Sequence, residues 1–177
     1  MKRILAILLF TSLIIPGCNM LDKLTQFEIE YNETIVIPAT LGIDTPVNVQ
    51  TPDIETNSAS SFEVNDTRKD LIESIILTQM DMTITSPSDE TFSFLESIAV
   101  YISADSLDEI EIAWNEDISD SIGDTLDLET TDVDLKEYIK KDSFNLRVKT
   151  VIDEVIDSTC SIDLHTVFFV DAEILGI

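Results

Sequence analysis

Positive charge, glycine, histidine and cysteine are all scarce in this chain of 177 residues. Ten Lys and Arg stand against 35 Asp and Glu, which gives a formal net charge of −25. A polyanion cannot gain affinity by neutralising phosphates, so nucleic-acid binding and a basic membrane-surface helix are both disfavoured. With four Gly, one His and two Cys, the chain offers no Gly-rich phosphate loop, no convincing histidine triad and no zinc site.

The first residues have the pattern of a secretory signal. Lys2 and Arg3 precede an apolar run over residues 4–15 that is too short to span a bilayer comfortably. The run ends in Ile15-Pro16-Gly17-Cys18, which resembles the bacterial lipobox. This resemblance implies that Cys18 is lipidated and forms the mature N-terminus; the alternative is an ordinary signal peptide with an incidental cysteine. Several acyl chains on one residue hold a protein to a membrane much more firmly than a single chain does.

The expected domain organisation follows from this leader. Residues 1–17 are predicted to be the lipoprotein signal peptide, residues 18–25 the lipidated N-terminus and tether, and residues 26–177 a single domain. Cys160 is then the sole remaining thiol, so no internal disulfide can form. We expect it to be a small, half-buried strand residue.

Alternation of apolar and polar residues dominates the predicted domain and favours β-strands. It predicts eight or nine strands, one or two short helices and no β-α-β alternation, so the predicted fold class is all-β. An antiparallel β-sandwich is the most economical architecture, with a β-barrel as its competitor. The strand segments are predicted around residues 27–37, 47–49, 76–84, 92–102, 110–114, 126–128, 144–148 and 162–174.

Four finer expectations concern how these segments are arranged. Residues 76, 78, 80, 82 and 84 are predicted to share one face, and the turn 86–90 is predicted to close a hairpin onto the next strand. Met80, Met82, Phe168 and Trp114 are expected in a shared core. Residues 57–61 are predicted to be a polar loop. A short helix is predicted around residues 135–139, capped by Thr131 or Asp132.

One segment of the domain is unusually acidic. From Asp105 to Glu137 there are thirteen acidic residues and a single Lys. Calcium needs six to eight oxygen ligands, which makes Asp117, Asp120, Asp124 and Asp127 candidate ligands around Gly123. Their spacing is not that of an EF-hand, and the alternative is a solvated acidic surface that discourages edge-to-edge pairing. No other cofactor is predicted.

No residue set in the sequence predicts an enzyme. A glycosidase needs two carboxylates roughly 5–10 Å apart, and such pairs arise by chance among 35 acidic residues. His165 lies in a predicted strand with no serine motif around it. We therefore predict a non-enzymatic protein.

Several short segments resemble the small lipoproteins of Bacteroidota, which join a lipobox to one domain similar to immunoglobulin-like or late-embryogenesis-abundant type 2 sandwiches. The matching segments are Thr51-Pro52-Asp53-Ile54, Asn65-Asp66-Thr67, Ser86-Pro87, Thr91-Phe92-Ser93-Phe94-Leu95 and Asp134-Leu135-Lys136-Glu137-Tyr138-Ile139. The resemblance implies a sandwich fold and lipid anchoring to the outer membrane in the cell envelope. It transfers no functional residue.

Two functions remain open. The first is a binding or assembly module that docks onto an outer-membrane or periplasmic protein with a basic patch, since an acidic surface favours such a partner. The second is a module that binds a glycan or another small ligand, with calcium as a possible aid. A concave site with exposed aromatics would favour the second, and Tyr31, Tyr101 and Trp114 are the few residues that could build one.

Overall fold

The computed structural model describes residues 25–39 and 45–173. Cys18 and the predicted signal peptide lie outside the described residues, and so does Ile174 at the end of the last predicted strand. The described part contains ten strands and two α-helices. The strands are β1 (Gln26–Ile37), β2 (Thr45–Gln50), β3 (Ile54–Glu55), β4 (Ile72–Ser86), β5 (Leu95–Ala104), β6 (Ile110–Asn115), β7 (Thr125–Asp127), β8 (Glu129–Thr130), β9 (Ser143–Ile152) and β10 (Cys160–Ala172).

The helices are short: α1 is Ser58–Val64 and α2 is Lys136–Ile139, and single 3₁₀ turns occupy Lys69–Leu71 and Phe92–Phe94. Within the ranges described, no helix is long and apolar enough to cross a membrane.

The strands form two antiparallel sheets that pack face to face, which confirms the predicted β-sandwich. The four-stranded sheet has the order β1-β10-β4-β7, and the six-stranded sheet has the order β2-β9-β5-β6-β8, with β3 also paired to β9. Each long strand buries alternate side chains between the sheets, as period-two patterning requires. On β9, for example, Phe144, Leu146 and Val148 are almost completely buried.

The predicted hairpin between β4 and β5 is wrong. A turn does follow Ser86, but β4 pairs with β10 and β7 in the four-stranded sheet whereas β5 pairs with β6 and β9 in the other sheet. The turn therefore carries the chain from one sheet across to the other. Alternation of apolar and polar residues predicts a strand with one buried face. It does not indicate which of the two sheets contains the strand, because both sheets bury apolar side chains on one face.

The predicted shared face on β4 is also wrong in its first half. Leu77 and then Met80 are buried, while Thr78 and Gln79 are both exposed. The register against β10 shifts at this point, which is the signature of a β-bulge. The bulge turns Ile76 and Thr78 out of the core, whereas Met82 and Ile84 remain buried as predicted.

The predicted loop at residues 57–61 contains the start of helix α1. Its polar sequence favours a loop, but Phe62 is fully buried and packs edge-on against Phe27 at a ring-centroid distance of 6.2 Å. This tertiary contact outweighs the weak local propensity of Ser and Asn.

The start of α2 depends on Asp134 and not on Thr131 or Asp132. One oxygen of Asp134, Oδ1, accepts hydrogen bonds of 3.0 Å from the N–H of Lys136 and from the N–H of Ile75 on β4. Burial raises the pKa of this carboxyl, but the N–H donors and the ammonium of Lys136 outweigh it and lower the pKa overall. Asp134 thus ties the helix to the edge of β4 beyond its pairing with β7.

We predict that Asp134→Ala lowers the free energy of unfolding by about 1 kcal/mol, because it leaves the N–H of buried Ile75 without its acceptor. For a domain of this size the melting temperature falls by roughly 2–4 °C. Asp132→Ala is the matched control, because Asp132 is exposed and makes neither bond. Equal effects of the two substitutions in thermal denaturation would contradict the assignment.

The same carboxyl gives a pH dependence of known sign. Because folding lowers the pKa of Asp134 below its ordinary value of 3.8, the charged form stabilises the fold above that pH, and the contribution disappears as the pH falls through the folded value. Asp134→Asn retains an acceptor but no charge. We expect the stability gap between wild type and Asp134→Asn to close below about pH 3.8 in denaturant titrations.

Candidate functional site

The outer face of the six-stranded sheet presents an aromatic pair. On β5, Ile98, Val100 and Ile102 are buried in the core. Because side chains alternate between the two faces of a strand, Ala99 and Tyr101 point to the outer face. On the neighbouring strand β6, Trp114 lies opposite Ala99, and Glu111 lies opposite Tyr101. The small side chain of Ala99 therefore forms a low floor beside the indole.

A β-bulge on β6 brings Trp114 to this face. Val100 pairs with Ala113 and Tyr101 pairs with Glu111, so Ile112 is an extra residue in the ladder. Ile112 and Ala113 are both buried. Strict alternation would have placed Trp114 on the same side as Ile112, in the core, and that prediction is wrong. The bulge reverses the phase of the strand and leaves the indole half exposed on the outside.

These residues line a shallow cleft of about 180 Å³. Trp114 and Tyr101 supply its aromatic surface, and Glu111, Glu116 and Lys149 supply its charged groups. Lys149 on β9 is exposed, stands opposite Ala99, and makes no ion pair with any residue that the structure describes. Its ammonium is therefore available to a ligand in the cleft.

Arg147 packs on Tyr101 at one side of the cleft and is itself held by several hydrogen bonds. Its guanidinium binds both oxygens of Glu109, with Nε donating to Oε1 over 2.8 Å and Nη2 donating to Oε2 over 2.6 Å. Nη1 donates to Oδ1 of Asn48 over 2.9 Å. The guanidinium carbon also lies 4.2 Å from the centre of the Tyr101 ring, within cation–π range. Three strands are thereby linked through one planar group.

The surroundings of Tyr101 raise the pKa of its phenol. A hydrogen bond with the Glu111 carboxylate raises the pKa of the Tyr101 phenol, and partial burial adds to this effect. The hydrogen bond from Arg147 lowers the pKa of Glu109. At neutral pH the cleft therefore presents a neutral phenol beside the guanidinium–carboxylate pair of Arg147 and Glu109.

Tyr31, the third predicted platform residue, lies elsewhere. It points between the two sheets, packs edge-on against Phe144 and Phe168 at centroid distances of 5.2 and 5.8 Å, and donates its hydroxyl proton to the carbonyl oxygen of Thr56 over 2.8 Å. Burial raises its pKa far above the ordinary value. The platform therefore has two aromatic residues, and Tyr31 belongs to the core.

The four candidate calcium ligands are spread along one connection. Asp117, Asp120 and Asp124 are exposed side chains in the segment between β6 and β7, and Asp127 ends β7 opposite Asp81. Across residues 25–39 and 45–173, no three His, Cys, Asp or Glu side chains are grouped so that they could hold a metal ion. Three of these aspartates can reach one ion only if the connection rearranges.

His165 and Cys160, two further residues considered in the sequence, both lie on β10. His165 on β10 lies between two carboxylates, with Nδ1 3.0 Å from Oδ1 of Asp81 and Nε2 3.7 Å from Oε2 of Glu30. Cys160 begins the same strand and is fully buried rather than half-buried as predicted. Burial raises the pKa of its thiol, with a smaller contribution from Glu90, and disfavours the thiolate.

Comparison with known proteins identifies no family. No model of a protein family matches the chain, and no curated protein matches it. Among solved structures, a chain of Desmodium yellow mottle tymovirus is 14% identical, with a TM-score of 0.30 over 86% of this chain and 91% of that chain. A chain from the acid-stable capsid of Helicobacter pylori bacteriophage KHP30 is 7% identical, with a TM-score of 0.33 over 81% and 92%.

A Clostridium perfringens module described as CpGH89CBM32-5, solved in complex with GalNAc-β-1,3-galactose, is 11% identical, with a TM-score of 0.29 over 81% of this chain and 97% of that chain. Likenesses this low carry no conclusion about function.

Calcium binding by the acidic connection stays a prediction with a simple test. If Asp117, Asp120, Asp124 and Asp127 hold the ion, calcium at ten times its dissociation constant stabilises the fold by about 1.4 kcal/mol and raises the melting temperature by several degrees. Asp120→Asn should then abolish the shift, whereas Asp157→Asn, outside the connection, should leave it unchanged. Calorimetry that shows neither heat nor a melting shift would contradict the prediction.

Proposed function

We propose that this protein is a non-enzymatic binding module that holds a sugar ring in the cleft formed by Trp114, Tyr101 and Ala99. The observation that supports this best is the pairing of a half-exposed indole with a small residue and a second aromatic on one sheet face. Such a surface offers two aromatic side chains on which a pyranose ring can pack.

The chemistry of the cleft suits a glycan. Sugar rings present apolar C–H faces that pack on aromatic side chains, whose large surfaces dominate small-ligand recognition. Hydroxyl groups around the ring require donors and acceptors at its rim, which Lys149, Glu111 and Glu116 provide. Because Arg147, which is held by Glu109 and Asn48, packs on the Tyr101 ring, little conformational entropy is lost when a ligand binds beside that ring.

The lipid anchor predicted at Cys18 gives this binding a location. A lipidated N-terminus would hold the domain on the outer membrane, within the cell envelope, where polysaccharides are abundant ligands. The other expected role, docking onto an envelope protein with a basic patch, is favoured by a different surface, the edge strand β1 with Glu28 and Glu30.

The proposal predicts that Trp114→Ala weakens oligosaccharide binding at least tenfold, because the indole supplies most of the surface on which the ring packs. The measurement is calorimetry of the full-length protein in detergent with neutral and uronic-acid oligosaccharides. Phe169→Ala is the matched control, because Phe169 is a half-exposed aromatic on the outer face of the other sheet. It should leave binding unchanged, and circular dichroism checks the fold of both variants.

Two outcomes would overturn the proposal: no oligosaccharide in the panel binds the wild type, or Trp114→Ala binds as tightly as the wild type. Lys149→Ala refines the ligand class. It should weaken binding of acidic sugars more than binding of neutral ones, because it removes the one ammonium in the cleft.

A further inference from the structure

Strand β1 leaves one of its two hydrogen-bonding edges open. It is the end strand of the four-stranded sheet and pairs with β10 alone among the described strands. The pairing runs from Gln26 to Ile37 in a single register without a bulge. At twelve residues, β1 is long for an edge strand.

The ladder shows which backbone groups face the open edge. Ala172 donates its N–H to the carbonyl of Thr25 over 3.2 Å, so these two residues form a hydrogen-bonded pair at the start of the ladder. Hydrogen-bonded and non-hydrogen-bonded pairs alternate along antiparallel strands. The odd-numbered residues of β1 therefore bind β10, and the even-numbered residues point their N–H and C=O groups outwards. These are Gln26, Glu28, Glu30, Asn32, Thr34 and Val36, and every one is exposed.

The protein covers its other long edge. Beyond β7, strand β4 is closed by the segment that leads to α2, because Leu135 donates its N–H to the carbonyl of Ile75 over 2.7 Å and Leu128 donates to the carbonyl of Met80 over 3.0 Å. The remaining edge strands have two to six residues, and β2 carries Pro46. Short strands, proline, bulges and covering segments are the devices that prevent edge pairing. Strand β1 contains no proline and no bulge, and although α1 packs beside it through Phe62 and Phe27, no described strand pairs with its outer edge.

The charges beside the open edge of β1 indicate which kind of segment could pair with it. Glu28 and Glu30 project from β1, and a groove of about 390 Å³ separates them from α1, where Val64 is 83% exposed. A second copy of this chain would add another −25 of formal charge to an already acidic surface. An extended segment with basic residues would instead place opposite charges across the new strand pair.

We propose that β1 binds an extended segment of a partner protein by strand addition, and that this segment carries Lys or Arg at alternate positions. The basic side chains lie on the outer face beside Glu28 and Glu30, and the residues between them point into the groove towards Val64. Backbone hydrogen bonds to the even-numbered residues supply affinity, while the alternate side chains supply specificity. The surface is on the opposite sheet from the Trp114 cleft, so this proposal does not rest on the glycan-binding function.

The test uses the full-length protein and synthetic nonapeptides. An alternating Lys-Val peptide should bind, more weakly as salt rises, and should slow amide hydrogen exchange at Glu28, Glu30 and Asn32 in NMR spectra. The same peptide with N-methyl groups on alternate amides keeps its charge but cannot complete the ladder, so it should bind at least tenfold more weakly. An alternating Glu-Val peptide should not bind.

Variants of the protein separate strand pairing from general attraction. Glu28→Lys with Glu30→Lys should abolish binding of the Lys-Val peptide, whereas Asp117→Lys with Asp120→Lys, an equal change of net charge on the β6–β7 connection, should weaken it only slightly. Trp114→Ala should bind the peptide normally.

Equal binding of the N-methylated peptide, or no protection of the three amides, would overturn the proposal. A concentration-dependent dimer that protects the same amides without peptide would instead assign the edge to a second copy and would also overturn it.

Discussion

Burial of apolar side chains between the two sheets is the constraint on which the rest of this structure depends. Tyr31 and Phe168 from the four-stranded sheet meet Phe144 from the six-stranded sheet in edge-on contacts, with centroids 5.2–6.2 Å apart. The Tyr31 hydroxyl donates to the carbonyl of Thr56, beside β3, and so adds a polar link between the sheets. Losing one large core aromatic typically costs about 3–5 kcal/mol, a large part of the stability of a domain of this size.

One face of each strand packs in the core, so the side chains of the opposite face lie on the outside of the sandwich. Two β-bulges determine which side chains those are. The bulge at Ile112 sends Trp114 outwards beside Tyr101, and the one near Thr78 sends Ile76 outwards on the other sheet. Each extra residue costs a ladder interaction but changes which side chains reach solvent. The candidate cleft thus arises from an interruption of the pattern that builds the core.

This explains how much the sequence alone could predict. Alternation was sufficient for β1, β9 and β10, whose buried positions follow period two with almost no interruption. It placed Trp114 in the core because a bulge leaves no mark in the pattern, and it joined β4 to β5 as a hairpin because both sheets bury the same kind of face. Helix α1 was missed because the contact of Phe62 with Phe27 is distant in sequence. The sequence indicates Tyr101 and Trp114 as candidate platform residues together with Tyr31, and only the fold separates Tyr31 from the other two.

The fold distributes the acidic residues of the sequence over several strands. The acidic tract from Asp105 to Glu137 includes β6 and β8 in one sheet, β7 in the other, and the start of α2, so it follows one side of the sandwich and does not cover a single face. The field of these exposed carboxylates is largely screened beyond about 8 Å at physiological salt. Local features must therefore decide where ligands bind. At the cleft, Arg147 and Lys149 offset the local carboxylates, while at the open edge of β1 the nearby charges are acidic. The two surfaces share no residue and lie on opposite sheets, so electrostatics favours different ligands at each, and neither ligand would block the other.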